Sequence, residues 1–135
     1  MGRLQDRGSK PSKVLRERTE QVENPDLKPP LFSFEFLQSP YCVSDCTSEE
    51  RSSVLSKLRQ LSQLTWQQLK QQNRHALGFE IIGRPSFKVA IPQFVTADVN
   101  LLAFRAIGMA PMVGYRVGRV FHILWVDRNF TVYKH

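Results

Sequence analysis

The sequence has few of the features that staple a small protein or anchor it in a membrane. Its only cysteines, Cys42 and Cys46, have a C-x3-C spacing with no matching Cys or His pair to complete a zinc site. No carboxylate cluster is present to hold another metal, so no metal or other cofactor is expected. Residues 1–30 contain no apolar run, so no signal peptide is expected, and no segment approaches the roughly 18 apolar residues needed to span a membrane. A cytoplasmic protein without membrane contact is therefore the default expectation.

Acidic residues are scarce in the second half of the chain, and this shapes its charge. The net charge is +7, yet residues 31–80 carry five basic and five acidic residues, whereas residues 81–135 carry seven basic and two acidic ones. This surplus of +5 indicates an anionic partner, either nucleic acid or an acidic protein. A basic surface that binds neither explains the charge equally well.

Large apolar residues are rare before residue 31. Residues 1–30 mix charged and small polar residues and end in a proline-rich stretch. Such a composition predicts a disordered basic and polar tail, with at most a short helix over residues 13–22. Residues 31–135 are predicted to form a single α+β domain.

The predicted domain opens with a strand and a helix hairpin. Phe32, Phe34 and Phe36 alternate with polar residues, which is typical of a strand with one buried face. Thr47 and Thr65 each precede a Glu or Gln by three residues, and each such capping box predicts a helix start. The first helix is expected to bury a stripe of apolar side chains, namely Val54, Leu55, Leu58 and Leu61.

Strands are predicted to fill the rest of the domain. Residues 79–98 suit a loop with strand fragments because prolines interrupt them, and residues 99–107 suit a strand. Residues 112–135 read as three strands joined by turns at Gly118 and at residues 127–129. The middle strand is apolar on both faces, so it is expected to be central, with Phe121 and Trp125 beneath the helix hairpin. The result is a mainly antiparallel sheet of three to four strands.

The stretch G-Y-R-V-G-R-V-F-H-I-L-W-V-D, followed by a closing Y-K-H, resembles the C-terminal half of the RelE/ParE-like toxins of bacterial toxin-antitoxin systems. The order of strand, helix hairpin and sheet is also similar to that superfamily. The resemblance implies a RelE-like fold. It also implies an endoribonuclease that cleaves RNA, including mRNA on the ribosome, and is neutralised by a small antitoxin protein. The ParE branch acts instead on gyrase.

Cleavage of RNA by its own 2′-hydroxyl requires proton transfer and cations near the phosphate. His135 and Tyr133 have the proton-transfer chemistry and share a strand face at i, i+2 spacing. Arg116 and Arg119 flank the turn at Gly118 and are the predicted phosphate-stabilising members of the catalytic set. Further contacts to nucleic acid are expected from Arg105, Arg128 and Lys134. This chemistry needs no metal.

Each candidate also has a structural explanation. A histidine at this position is more often a frayed chain end than a catalyst, and Tyr133 is also compatible with an aromatic residue at the rim of the sheet. His122 is expected to be a hydrogen-bonded core histidine, and Arg74 and His75 complement the dipole of the second helix. The alternative function is a non-enzymatic nucleic-acid- or protein-binding domain on the same fold.

Overall fold

A computed structural model describes residues 24–135 of the protein, and the short helix expected over residues 13–22 lies outside them. The predicted α+β class is confirmed. The helices and strands follow in the order β1 (Leu31–Ser33), α1 (Ser48–Leu61), α2 (Trp66–Lys70), β2 (Phe79–Ile82), β3 (Leu101–Ile107), β4 (Ala110–Val117) and β5 (Val120–Val126).

The five strands form one mixed sheet in the order β1-β5-β4-β3-β2. β1 runs parallel to β5, and every other neighbouring pair is antiparallel. Strand β2 comes from the region in which only strand fragments are expected. Gly118 connects β4 to β5 with a φ of 60°, a left-handed conformation that glycine adopts without steric cost.

Both helices begin where the capping boxes predict. The Thr47 hydroxyl accepts a hydrogen bond from the Glu50 backbone N–H at 3.1 Å, and Glu50 Oε1 accepts one from the Thr47 N–H at 2.8 Å. Thr65 and Gln68 repeat the exchange at the start of α2 at 3.1 and 2.9 Å. These bonds satisfy N–H groups that have no partner inside the helix, so the helix starts are set locally.

The first core layer lies between the helices and one face of the sheet. Its buried side chains are Val54, Leu58, Leu61, Trp66, Leu69, Leu102, Phe104, Met112, Phe121 and Ile123. The Phe121 ring is completely buried, with its centroid 6.3 Å from that of Trp66 and 5.2 Å from that of Phe104. Its predicted place beneath the helices is confirmed. Leu55, expected in the same stripe, is instead 64% exposed.

A β-bulge between β4 and β5 decides which face the later side chains of β5 occupy. Val113 pairs with Trp125, but the next residue, Gly114, pairs with Ile123, so Leu124 has no partner on β4. Glycine permits this approach, since a Cβ atom on Gly114 would lie 1.9 Å from a carbonyl oxygen of β5. Leu124 and Trp125 consequently both pack on the face away from the helices. The prediction that Trp125 lies beneath the helix hairpin is wrong.

The second core layer covers that other face with loops rather than helices. Residues from segments 36–41 and 87–99 pack over the sheet there, namely Phe36, Tyr41, Phe87, Val89, Ile91 and Val99. Arg84 holds one of these loops in place, because its guanidinium donates to the carbonyls of Val95, Thr96 and Val99. The loops therefore shape the side of the sheet on which the candidate site is found.

The predicted strand after residue 129 does not form. The buried Asp127 carboxylate accepts hydrogen bonds from the backbone N–H groups of Thr131 and Val132, at 2.7 and 2.9 Å. These bonds turn the chain away from β5. Tyr133 then makes an isolated antiparallel bridge to Phe87. A side chain has thus replaced the neighbouring strand as the partner of these backbone groups.

The alternation of phenylalanines near residue 31 also misleads. Strand β1 ends at Ser33, and the chain then turns across the end of β5. Phe32 packs against the first core layer and Phe36 against the second, while Phe34 is 42% exposed. The prediction of one common buried face is wrong because the strand is too short to maintain it.

Residues 24–30, assigned to the tail from composition, belong to the folded body. Asn24 caps a 3-10 turn at Pro25–Leu27 by accepting from the Asp26 N–H at 3.2 Å. The Lys28 carbonyl accepts a hydrogen bond from the Trp66 N–H at 3.1 Å. The predicted tail boundary at residue 30 is therefore too late.

Candidate functional site

One cavity brings together four of the predicted site residues, and we call it the polar pocket. It encloses about 310 Å³ beside β2 and β3, where residues 133–135 pass. Its charged and titratable lining residues are Arg74, Glu80, Arg105, Tyr133, Lys134 and His135. The sequence predicts roles for Arg105, Tyr133, Lys134 and His135, so this cavity is the candidate functional site.

Arg105 is the most buried cation of the polar pocket, with 8% of its surface exposed. Its Nη2 donates to Glu80 Oε1 at 2.7 Å, and its Nη1 donates to the Met109 carbonyl at 3.1 Å. The second oxygen of Glu80 accepts from Arg74 Nη1 at 2.9 Å. Glu80 is thus shared by two guanidinium groups, which satisfies the buried charge of Arg105 and leaves the set with a net positive charge.

Tyr133 is buried to 3% exposure, and its hydroxyl lies 3.5 Å from Arg105 Nη1. Burial raises the pKa of the Tyr133 phenol, and the nearby Arg105 opposes this only in part. The hydroxyl therefore stays protonated at neutral pH. It can donate a hydrogen bond or a proton, but it is a poor base.

His135 is the more accessible proton-transfer group, since 27% of its side chain is exposed. Its ring stacks on Tyr133 with centroids 4.2 Å apart, and the Phe130 ring approaches at 5.0 Å and 80°. His135 Nε2 also lies 3.8 Å from Oδ2 of the fully buried Asp127. Contacts on three sides fix the imidazole in place, as a catalytic group requires.

Arg116 and Arg119 do not join this pocket. Arg105 lies opposite Pro111 at the start of β4, whereas Arg116 lies five residues beyond Pro111 on that strand, roughly 16.5 Å along it at about 3.3 Å per residue. The predicted grouping of both arginines with Tyr133 and His135 is therefore wrong. The seven-residue strand β5 separates the turn at Gly118 from the segment that carries His135.

The two arginines instead attach the start of the folded body to the sheet. Arg116 lies over the Trp66 ring at 4.3 Å and forms an ion pair with Asp26. Asp26 also accepts from Lys70 Nζ at 2.8 Å, and the pKa of its carboxyl is lowered by the hydrogen bonds from Lys70 and Arg116. Arg119 Nε donates to the Pro29 carbonyl at 3.0 Å. We call Asp26, Lys70, Arg116 and Arg119 the N-terminal anchor.

A larger cavity of about 470 Å³ adjoins this anchor and is lined in part by Lys70 and Arg116. Both of these cations are already bonded to Asp26, and the lining contains no histidine or tyrosine. By volume alone this larger cavity would be the better candidate site. The polar pocket is favoured because it contains the side chains that can transfer a proton.

Arg128 also has a structural partner. Its Nε lies 2.8 Å from Glu50 Oε1, and its Nη1 donates to the Asp45 carbonyl at 2.8 Å. Arg128 thereby ties the turn after β5 to the start of α1, outside the polar pocket.

Two other expectations concern polar residues that lie near aromatic rings or helix ends. His122 stacks on Tyr115 with centroids 5.0 Å apart, but its buried Nδ1 has no hydrogen-bond partner among the described residues. His122 is thus half-buried and packed between aromatic rings, and the expected side-chain hydrogen bond is not seen among the described residues. Arg74 and His75 lie beyond α2, which ends at Lys70, and Arg74 instead binds Glu80, so their expected role at the end of that helix is wrong. The sequence patterns do not assign Arg74 or Glu80 to the site. The signal for Glu80 was a single acidic residue within the apolar stretch of β2.

Comparison of the chain with protein-family models, curated protein sequences and solved structures gives no significant match. Within residues 24–135, no group of three or more His, Cys, Asp or Glu side chains is placed to hold a metal ion. The helices of the same residues are all too short or too polar to cross a membrane. Functional inference therefore depends on the geometry of the polar pocket.

Proposed function

We propose that this protein binds single-stranded RNA at the polar pocket and cleaves it as a toxin-like endoribonuclease. The observation that carries the proposal is the convergence of Tyr133, Lys134 and His135 with Arg105 in one cavity. Proton-transfer groups and cations are the two requirements for cleavage by an adjacent 2′-hydroxyl.

The cations give the pocket an affinity for phosphate. The lining side chains include three cations, Arg74, Arg105 and Lys134, and one carboxylate, that of Glu80, so the lining carries a positive excess. Arg74 has 56% of its side chain exposed, and Lys134 is exposed as well. Lys134 and the exposed part of Arg74, whose Nη1 stays bonded to Glu80, can approach an RNA backbone, while Arg105 holds Glu80 and Tyr133 in position.

The proposed reaction forms a bond between the 2′ oxygen and phosphorus and breaks the bond between phosphorus and the 5′ oxygen. The imidazole of His135 accepts the proton of the 2′-hydroxyl. The protonated Tyr133 hydroxyl, whose pKa is raised by burial, supplies the proton that leaves with the 5′ oxygen. The products are a 2′,3′-cyclic phosphate and a 5′-hydroxyl.

The resemblance of residues 112–135 to RelE/ParE-like toxins supports the same activity and extends it to partners. On that basis, the proposal includes a cytoplasmic location, ribosome-bound mRNA as a target and a small antitoxin protein as the inhibitor. The charge of +5 over residues 81–135 is compatible with either an RNA or an acidic antitoxin at this surface.

A second candidate function is RNA binding without cleavage, and one observation favours it. Tyr133 is only 3% exposed and Arg105 only 8%, so both are more enclosed than a group that must reach a phosphate. On this alternative the two residues support the pocket, and Lys134 and Arg74 supply the binding.

The test is incubation of the full chain with labelled single-stranded RNA, with and without ribosomes, at a series of salt concentrations. Cleavage to 2′,3′-cyclic phosphate ends is expected, together with binding that weakens steeply as salt rises from about 50 to 200 mM. Lys134→Ala should reduce the slope of log affinity against log salt by about 1, whereas Lys88→Ala, an exposed lysine outside the pocket, should not. Binding without cleavage would select the second candidate, and the absence of both would reject the pocket as an RNA site.

A further inference from the structure

Phe130 combines two features that are unfavourable for a purely structural residue. Its φ is 58°, which makes it the one residue other than glycine with a positive φ among residues 24–135. It is also 41% exposed, so a large apolar ring faces water. Left-handed backbone disfavours side chains with a Cβ atom, and such strain is concentrated at functional sites.

The backbone around Phe130 is held by its neighbours rather than by its own ring. The Phe130 N–H donates to the Asp127 carbonyl at 3.4 Å, and the Asp127 carboxylate accepts from the N–H groups of Thr131 and Val132. Asn or Gly would fit this turn with less strain. The turn therefore does not explain why an aromatic side chain occupies the position.

The ring of Phe130 lies at the exposed end of a series of aromatic contacts. It meets His135 with centroids 5.0 Å apart, His135 meets Tyr133 at 4.2 Å, and Tyr133 meets Phe87 at 6.0 Å. Phe87 in turn lies 5.5 Å from Trp125, which is 1% exposed. The series runs from the core through the polar pocket and ends in solvent at Phe130.

We propose that Phe130 is a base-stacking residue that holds the nucleobase beside the phosphate bound in the polar pocket. This inference rests on the proposed function, because it names how the same site selects and orients single-stranded RNA. An exposed aromatic ring next to cations is the combination that binds single strands, in which bases are free to stack. Stacking on one aromatic side chain strengthens binding by roughly 5-fold to 100-fold.

The test measures binding of short single-stranded RNA oligonucleotides that carry one abasic site, moved along the sequence position by position. 2′-O-methyl groups block the 2′-hydroxyl attack, so binding is measured without cleavage. Phe130→Asn removes the ring and keeps a residue that tolerates positive φ, Phe130→Tyr keeps an aromatic ring, and Phe94→Asn removes a ring that is 52% exposed and outside the pocket.

One abasic position is expected to weaken binding to the unmodified protein by about 5-fold or more. The same abasic site should change binding to Phe130→Asn less than about 2-fold, because the base has already lost its partner. Phe130→Tyr and Phe94→Asn should behave like the unmodified protein.

If every abasic site weakened binding to Phe130→Asn as much as binding to the unmodified protein, the ring would only support His135. That result would overturn the stacking role while leaving RNA binding intact. Failure of the unmodified protein to bind any intact oligonucleotide would instead reject the proposed function and this inference together.

Discussion

Basic residues at the N-terminal anchor and at the polar pocket have the same charge but different surroundings. The Arg116 side chain is only 19% exposed. Its guanidinium pairs with Asp26, lies over the Trp66 ring and donates to the Gly118 carbonyl. Arg74, at the pocket, has 56% exposed and shares one carboxylate with Arg105. An arginine whose donors are already satisfied within the protein stabilises the fold, whereas cations in excess over carboxylates remain available to a ligand.

The arginines on either side of the Gly118 turn show how a sequence pattern can suggest a ligand site that the fold does not contain. Two arginines around a glycine turn suggest a ligand site because the turn itself seems to need neither of them. Here the turn conformation comes from Gly118, and the arginines bind a segment some 90 residues away in sequence, through Asp26 and Pro29. The function of an arginine is decided by the partners that the fold brings to it.

One substitution at the polar pocket and one at the N-terminal anchor should affect different properties of the protein. His135→Ala should slow RNA cleavage by about 100-fold to 10,000-fold with little change in melting temperature, because a general base acts only on the proton in transit. Arg119→Ala should lower the melting temperature and leave the cleavage rate of the folded protein nearly unchanged, since Arg119 holds the Pro29 carbonyl. Single-turnover cleavage rates and melting temperatures of both variants measure these two opposite patterns.

Equal loss of cleavage in the two variants at a temperature where both are folded would contradict the division of roles. His75→Gln serves as the control for loss of an exposed imidazole: His75 does not line the pocket, and the Gln amide oxygen can still accept the hydrogen bond that Arg74 Nε donates to His75 Nε2 at 3.1 Å.

A second comparison concerns stability alone. Arg116→Ala should lower the free energy of unfolding by about 1 to 3 kcal/mol, because it removes the cation–π contact with Trp66 and the bonds to Asp26 and Gly118. Arg116→Lys keeps the charge but cannot place a planar guanidinium over the indole. Its free energy of unfolding should therefore lie between those of the unmodified protein and Arg116→Ala. Denaturant unfolding measures both values. An unchanged midpoint for Arg116→Ala would remove the N-terminal anchor as a source of stability.

Some of this structure could be predicted from sequence because its causes are local. The capping boxes at Thr47 and Thr65 involve residues three positions apart, so the pattern alone locates both helix starts. The proximity of Tyr133 and His135 could be predicted because they lie only two positions apart along one short segment. Their contact persists although the segment is not a strand.

The remainder depended on contacts between distant residues. The bulge that moves Trp125 to the second core layer requires Gly114 to meet β5, and no period-2 pattern contains that information. The buried Asp127 carboxylate cancels the last strand by binding the N–H groups of Thr131 and Val132. A last strand running back beside β5 would have brought His135 towards Arg116, so the predicted grouping of the two depended on a strand that the Asp127 turn prevents.

Stability should also depend modestly on pH, with opposite signs at the N-terminal anchor and at the polar pocket. The pKa of Asp26 is lowered, chiefly by the hydrogen bond from Lys70 and then by that from Arg116. Its contribution is present above the unfolded value of 3.8 and is lost as pH falls through the lower folded value. Since the Asp26 side chain is 36% exposed, solvent screening limits the effect to about 1 kcal/mol or less. Asp26→Asn should therefore flatten the acid side of the stability curve.

At the polar pocket, burial raises the pKa of Tyr133 above 10.0, so the opposite dependence applies. The folded state holds the phenol proton more tightly than the unfolded chain, and stability is complete below about pH 10 and falls as pH rises beyond it. Tyr133→Phe should flatten this alkaline fall and leave the acid side unchanged. The pKa of Tyr115 is also raised by burial. Tyr115→Phe is therefore the matched control, because it shows how much of the alkaline loss of stability arises outside the pocket. Urea unfolding at a series of pH values measures these slopes. If Asp26→Asn altered the alkaline side, or Tyr133→Phe the acid side, the two regions would be coupled through the sheet rather than independent.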